Sequence, residues 1–169
     1  MVQKLPFALI GLLILLLVFF LYTEYKIPVP GDGLALYEGV DYTFSYPEGY
    51  VVTPTPEGVT VIPGDDTVMP TAGEDPTGIT IAMYTVDEGK TLTEWLTNRV
   101  SHYELGPRTH TNATVNGMEA VRYSWSGLYE GDTTAFMQGS RVVAISRTWM
   151  SRGDHTEAYE IILRTYTRK

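Results

Sequence analysis

The chain has 169 residues, a formal net charge of -8 and a pI near 4.8, and it contains no cysteine. An acidic chain without a basic stripe is a poor ligand for nucleic acid, which is held mainly through its phosphates. Without thiols there are no disulfides, thiolate zinc sites, iron–sulfur clusters or cysteine-linked lipids.

From Leu5 to Tyr22 run eighteen residues without a charge, LPFALIGLLILLLVFFLY. As a helix this run is about 27 Å long, close to the roughly 30 Å of a bilayer's hydrocarbon core. Pro6 falls in the first turn, where a missing N–H costs nothing, and Tyr22 and Tyr25 stand at an interfacial position. A cleaved signal peptide is the rival reading, but its apolar region is shorter and ends in small residues, whereas TEYKIPVPGD follows here. The amino terminus and Lys4 make the short leading side positive, so residues 1–4 are expected in the cytoplasm and the rest of the chain outside the cytoplasmic membrane. Residues 23–35, with two prolines and two glycines, read as a linker, and residues 36–169 as one domain.

Within that domain Tyr42, Phe44 and Tyr46 alternate with Thr43 and Ser45, a half-buried strand stopped by Pro47 and Glu48-Gly49. Residues 50–52 and 59–62 flank the turn residues 54–58 and form a hairpin, and Ile79, Ile81 and Met83 mark the next strand. Thr91 and Glu94 have capping-box spacing, ahead of a stripe of Leu92, Trp95, Leu96, Val100 and Tyr103 that ends at Gly106-Pro107. Asn116-Gly117 is a hairpin turn leading into a strand from Ala120 to Trp125. Strands over 133–137 and 142–149 follow, joined by residues 138–141. Asp154 and Glu157 repeat the capping spacing before a helical stripe of Tyr159, Ile162, Leu163 and Tyr166. Strands in runs with two amphipathic helices predict an α+β domain, an antiparallel sheet with helices packed on it.

The order FSYPEGY (Phe44 to Tyr50), TLTEWL (Thr91 to Leu96), VNGMEAVRYSW (Val115 to Trp125), RVVAISRTW (Arg141 to Trp149) and EIILRTY (Glu160 to Tyr166) resembles the PsbP/Mog1-like family over roughly residues 37–168. The resemblance implies an α/β/α sandwich. It also implies a binding or assembly role, as in the lumenal photosystem II subunit and the Ran-binding protein, without shared catalytic residues. The retained anchor departs from the lumenal subunit, so a photosynthetic role is not carried over.

Four carboxylates, Asp65, Asp66, Glu74 and Asp75, lie in the loop between Pro63 and Pro76 and are the candidate ligands for calcium or another divalent cation, although their spacing is not that of an EF-hand. No organic cofactor is implied. His102, His110 and His155 lack the spacing of a helical metal pair, and Ser140, Ser146 and Ser151 lack a nucleophile elbow. Arg152-Gly153-Asp154 is better read as a turn and a helix cap than as an adhesion motif, and Asn112-Ala113-Thr114 fits a glycosylation acceptor. Charge is uneven: residues 31–104 hold thirteen acidic and two basic side chains, residues 105–169 six acidic and eight basic. Either the two halves interleave and the charges mix, or one face is polarised toward a partner.

The leading expectation is a non-enzymatic binding or assembly module, tethered to the membrane and meeting a protein partner at its surface. An extracytoplasmic hydrolase or cation-dependent enzyme using the 63–76 loop is the alternative from another class, and a small-ligand sensor is the third.

Overall fold

The computed structural model describes residues 31–64, 77–99, 110–126, 129–149 and 155–169. The span at 5–22, most of the linker, and the four loop carboxylates lie outside the described residues. Among the described residues no helix is long and apolar enough to cross a membrane. Their elements are β1 (Leu34–Glu38), β2 (Tyr42–Pro47), β3 (Tyr50–Thr55), β4 (Gly58–Pro63), β5 (Gly78–Thr85), α1 (Leu92–Arg99), β6 (His110–Val115), β7 (Met118–Ser126), β8 (Glu130–Gln138), β9 (Arg141–Trp149), α2 (Thr156–Thr165) and β10 (Thr167–Arg168).

Every strand pairing is antiparallel. One seven-stranded sheet has the order β3-β4-β5-β9-β8-β7-β6, and a three-stranded sheet has the order β1-β2-β10. Because side chains alternate across a strand, each central strand feeds two cores. Val59, Val61, Ile79, Ile81, Val143, Ile145 and Phe136 point to the side occupied by β2 and α2, where they meet Phe44, Tyr159, Ile162 and Tyr166. Tyr123, Ala135 and Val142 point the other way, toward Leu96 of α1 with Leu92 and Trp95 packed alongside. The antiparallel α+β expectation therefore holds in outline. It differs from a plain helix–sheet–helix sandwich in that the small sheet shares one face of the large sheet with α2.

The strand period predicted at 42–46 is realised in β2, with Tyr42 and Phe44 buried. The capping box at Thr91 forms as its spacing requires: the Thr91 N–H donates to Glu94 Oε2 at 2.7 Å and the Glu94 N–H donates to Thr91 Oγ1 at 3.2 Å. Val100, Tyr103 and the Gly106-Pro107 terminator lie outside the described residues. The second helix starts differently from expectation. Its N-cap is His155 rather than Asp154, and His155 makes no side-chain capping bond. The stripe predicted for this helix is correct, since Tyr159, Ile162, Leu163 and the C-cap Tyr166 are all buried.

Three strands escape the sequence pattern. β1 begins at Leu34, inside the stretch read as linker, because Leu34 is buried where it pairs opposite Pro47. β10 has two residues and is fixed by register with Thr43 and Tyr42 of β2. β6 is almost wholly polar, with His110, Thr111, Asn112 and Thr114 exposed, and only its hairpin with β7 makes it a strand. That hairpin turns on Asn116 at φ 47° and Gly117 at φ 80°, the left-handed pair that suits the twist of the flanking strands. Gly117→Ala would place a Cβ in that conformation, and thermal unfolding should show a loss of about 1–2 kcal/mol.

Candidate functional site

On the face of the large sheet toward α2, the apolar register does not continue to the strand ends. In β9 the series Val143, Ile145 ends in Arg147, in β8 Phe136 and Thr134 give way to Asp132, and in β7 Ala120 is followed by Arg122 and Ser124. Register places Asp132 opposite both Ser124 and Arg147, so the three polar side chains form one row across the strands. Asp132 and Arg147 keep only 15% and 14% of their side-chain surface exposed. Arg147 donates from Nε at 3.0 Å and from Nη2 at 2.5 Å to Asp132 Oδ2, while Ser124 donates to Oδ1 at 2.6 Å. Both carboxylate oxygens are thus satisfied, the condition under which a poorly solvated pair is tolerated. Arg147 Nη1 also bonds the Thr156 hydroxyl at the start of α2, tying the sheet to the helix.

Tyr159 of α2 closes this cluster. Its ring has Arg122 at 5.1 Å and Arg147 at 5.5 Å, and its hydroxyl lies 2.7 Å from Thr134 Oγ1 and donates to the Ile145 carbonyl at 3.2 Å. Burial pushes the Tyr159 hydroxyl up to about 12, and the hydrogen bond with Thr134 opposes the rise. Tyr42 is also pushed up to about 12, chiefly by burial with added repulsion from Tyr37 and Asp41, and Tyr166 is raised mainly by burial. A raised tyrosine favours the folded state only while it remains protonated in that state. Stability should hold below pH 10, where free tyrosine begins to ionise, and fall as pH climbs to about 12, as denaturation midpoints across that window would record.

Beside this cluster a groove of about 650 Å³ opens between the sheet edge and α2. Its outer wall is the end of β6 and its turn, residues 113–117; its floor holds Arg122 and Thr134; its inner wall is Glu160, Leu163 and Arg164. Arg122 Nη2 lies 2.5 Å from Glu160 Oε1, with each side chain about one third exposed (34% and 31%). Burial is the largest influence on Arg122 and opposes its charge, but the hydrogen bond to Glu160 together with the attraction of Tyr159 and Glu160 outweighs it and raises the guanidinium above its usual value. Arg122 Nε is buried without a hydrogen-bond partner. Two arginines against one glutamate give the lining a positive balance, and every lining residue comes from the basic half of the chain. What such a surface does chemically is attract and orient anionic groups through guanidinium donors.

The candidate cation ligands Asp65, Asp66, Glu74 and Asp75 lie outside the described residues, as do His102, Ser151 and the 152–154 tripeptide. Among the described residues no group of three or more His, Cys, Asp or Glu is placed to hold a metal ion. His110 is exposed at the start of β6, whereas His155 is buried with its Nδ1 3.2 Å from the Tyr50 hydroxyl. Ser140 sits exposed in the β8–β9 turn, and Ser146 bonds Thr133 at 2.8 Å within the sheet. Asn112 is exposed on β6. The sequence reading missed Arg122, Asp132, Arg147, Glu160 and Arg164. The signal available for three of them was a charge falling on an inward-facing strand position.

No protein-family model and no curated protein matches the chain. The solution structure of cyanobacterial PsbP (CyanoP) from Synechocystis sp. PCC 6803 is similar, with a TM-score of 0.53 and 11% identity, covering 84% of this chain and 98% of that one. The fold is PsbP-like. This agrees with the resemblance read from the sequence, and at such low identity the likeness is one of fold alone.

Proposed function

We propose that the chain is a non-enzymatic binding or assembly module, a PsbP-type domain tethered by its N-terminal span on the outer side of the cytoplasmic membrane. The observation that carries this reading is the groove between β6 and α2, concave, with a positive lining on an otherwise acidic domain. Its support is shared between that surface, the PsbP-like fold and the eighteen-residue uncharged run from Leu5 to Tyr22. We read the domain as a variant of the α/β/α sandwich in which α1 and α2 cover opposite faces of the large sheet. No observation on the described residues favours the cation-dependent reading over this one.

The test is purification of the full-length chain from detergent-solubilised host membranes. A stoichiometric protein partner should be retained by the wild type and lost when Arg122 and Arg164 are both changed to Glu. Recovery of the chain alone, in several mild detergents, would count against a binding module.

A further inference from the structure

The groove lies along a sheet edge, and the backbone of that edge has its own chemistry. In a two-residue hairpin closed by Val115 and Met118, the residues bonded to the partner strand are Val115, Ala113 and Thr111. His110, Asn112 and Thr114 therefore turn their N–H and C=O groups outward, and among the described residues β6 has no strand on that side. Edges of this kind are normally blunted by proline, charge or shortness. The other edges here follow that rule: β3 contains Pro54, β1 contains Glu38, and β10 has two residues. β6, HTNATV, has no proline, lysine, arginine or carboxylate.

We propose that β6 is a docking edge that accepts one extended strand of an acidic partner polypeptide, with the partner's alternate side chains entering the groove. This rests on the binding-module reading above and specifies its surface. Main-chain bonds to Asn112 and Thr114 would supply a sequence-independent hold, as strand addition does generally. Specificity would come from the side chains on the α2 side of the added strand, which reach Leu163 and Arg164. The lining's excess of arginine, within a chain of net charge -8, makes glutamate or aspartate the complementary choice at those positions.

The full-length chain in detergent is titrated with a labelled eight-residue peptide alternating glutamate with valine, and with its lysine–valine counterpart. The glutamate peptide should bind and slow amide exchange in β6, and the lysine peptide should bind at least roughly tenfold more weakly. Asn112→Pro removes an outward N–H while leaving the β7 ladder intact, and should weaken binding by roughly tenfold. Arg164→Glu keeps the edge and should erase the preference between the two peptides. Equal binding of both peptides to the wild type, unchanged binding by Asn112→Pro, or self-association of the chain that Asn112→Pro abolishes would each overturn the proposal. If Asn112→Pro still retains the wild type's membrane partner, the edge assignment fails while the module reading stands. If the peptide binds as described but no membrane partner is recovered, the module reading is the one that fails.

Discussion

Tyr159→Ala is expected to destabilise the domain by about 3–5 kcal/mol, the range for removing a large buried aromatic side chain. The ring is fully buried, with the guanidinium groups of Arg122 and Arg147 at 5.1 and 5.5 Å from it, and it packs into the core shared by the large sheet, β2 and α2. Its removal leaves a cavity at the point where the helix meets the sheet, and it also strips a hydroxyl from Thr134 and the Ile145 carbonyl. Tyr159→Phe separates the two contributions. It keeps the ring and should cost only about 1–3 kcal/mol, the penalty for leaving buried polar groups without their partner. Because the groove's inner wall is carried by α2, the alanine variant should also weaken binding of an acidic peptide, whereas the phenylalanine variant should bind nearly as well. Urea denaturation with peptide titration on the same preparations measures both effects.

Asp132→Ala is expected to cost about 3–5 kcal/mol, because it leaves the Arg147 guanidinium poorly solvated and without its carboxylate. Both acceptor oxygens of Asp132 are in use, and the pair is only about 15% exposed, so water cannot readily replace the lost partner. Replacing Asp132 and Arg147 together by apolar residues of similar volume should restore much of that stability, since the desolvation penalty is removed along with the attraction. A double-mutant cycle from denaturation midpoints would show this as strong coupling, in contrast to the weaker value expected for the more exposed Arg122–Glu160 pair.

How far the fold was legible follows from where each element gets its stability. β2 and α2 bury one face each, so their apolar residues recur at the strand or helix period, while β5 and β9, buried on both faces, stand out as apolar runs between turn residues. The Asn116-Gly117 turn was legible for a different reason, since few residue pairs tolerate two successive positive φ values. β6 lies at an edge with one buried side chain, and β10 is two residues long, so neither carries a period. Asp154 and Glu157 had the right spacing for a capping box, but the helix begins at Thr156, and spacing alone does not fix which residue is the cap.

The site was less legible than the fold. Ligand spacing singles out Asp65, Asp66, Glu74 and Asp75, which are close in sequence. The groove residues Arg122, Glu160 and Arg164 instead come from β7 and α2, which are distant in sequence and come together only in the fold. Besides the inward-facing charge at Arg122, the uneven charge of the two halves is a trace of this surface in the sequence, because β6, β7 and α2 all belong to the basic half.

Where the domain is held is measured most directly by alkaline carbonate extraction of host membranes combined with protease added from outside. The full-length chain should stay in the membrane pellet, and external protease should remove the domain and leave a short fragment containing residues 5–22. Release of the intact chain by carbonate, or a domain that protease reaches only after the membrane is broken, would contradict a tether on the outer side.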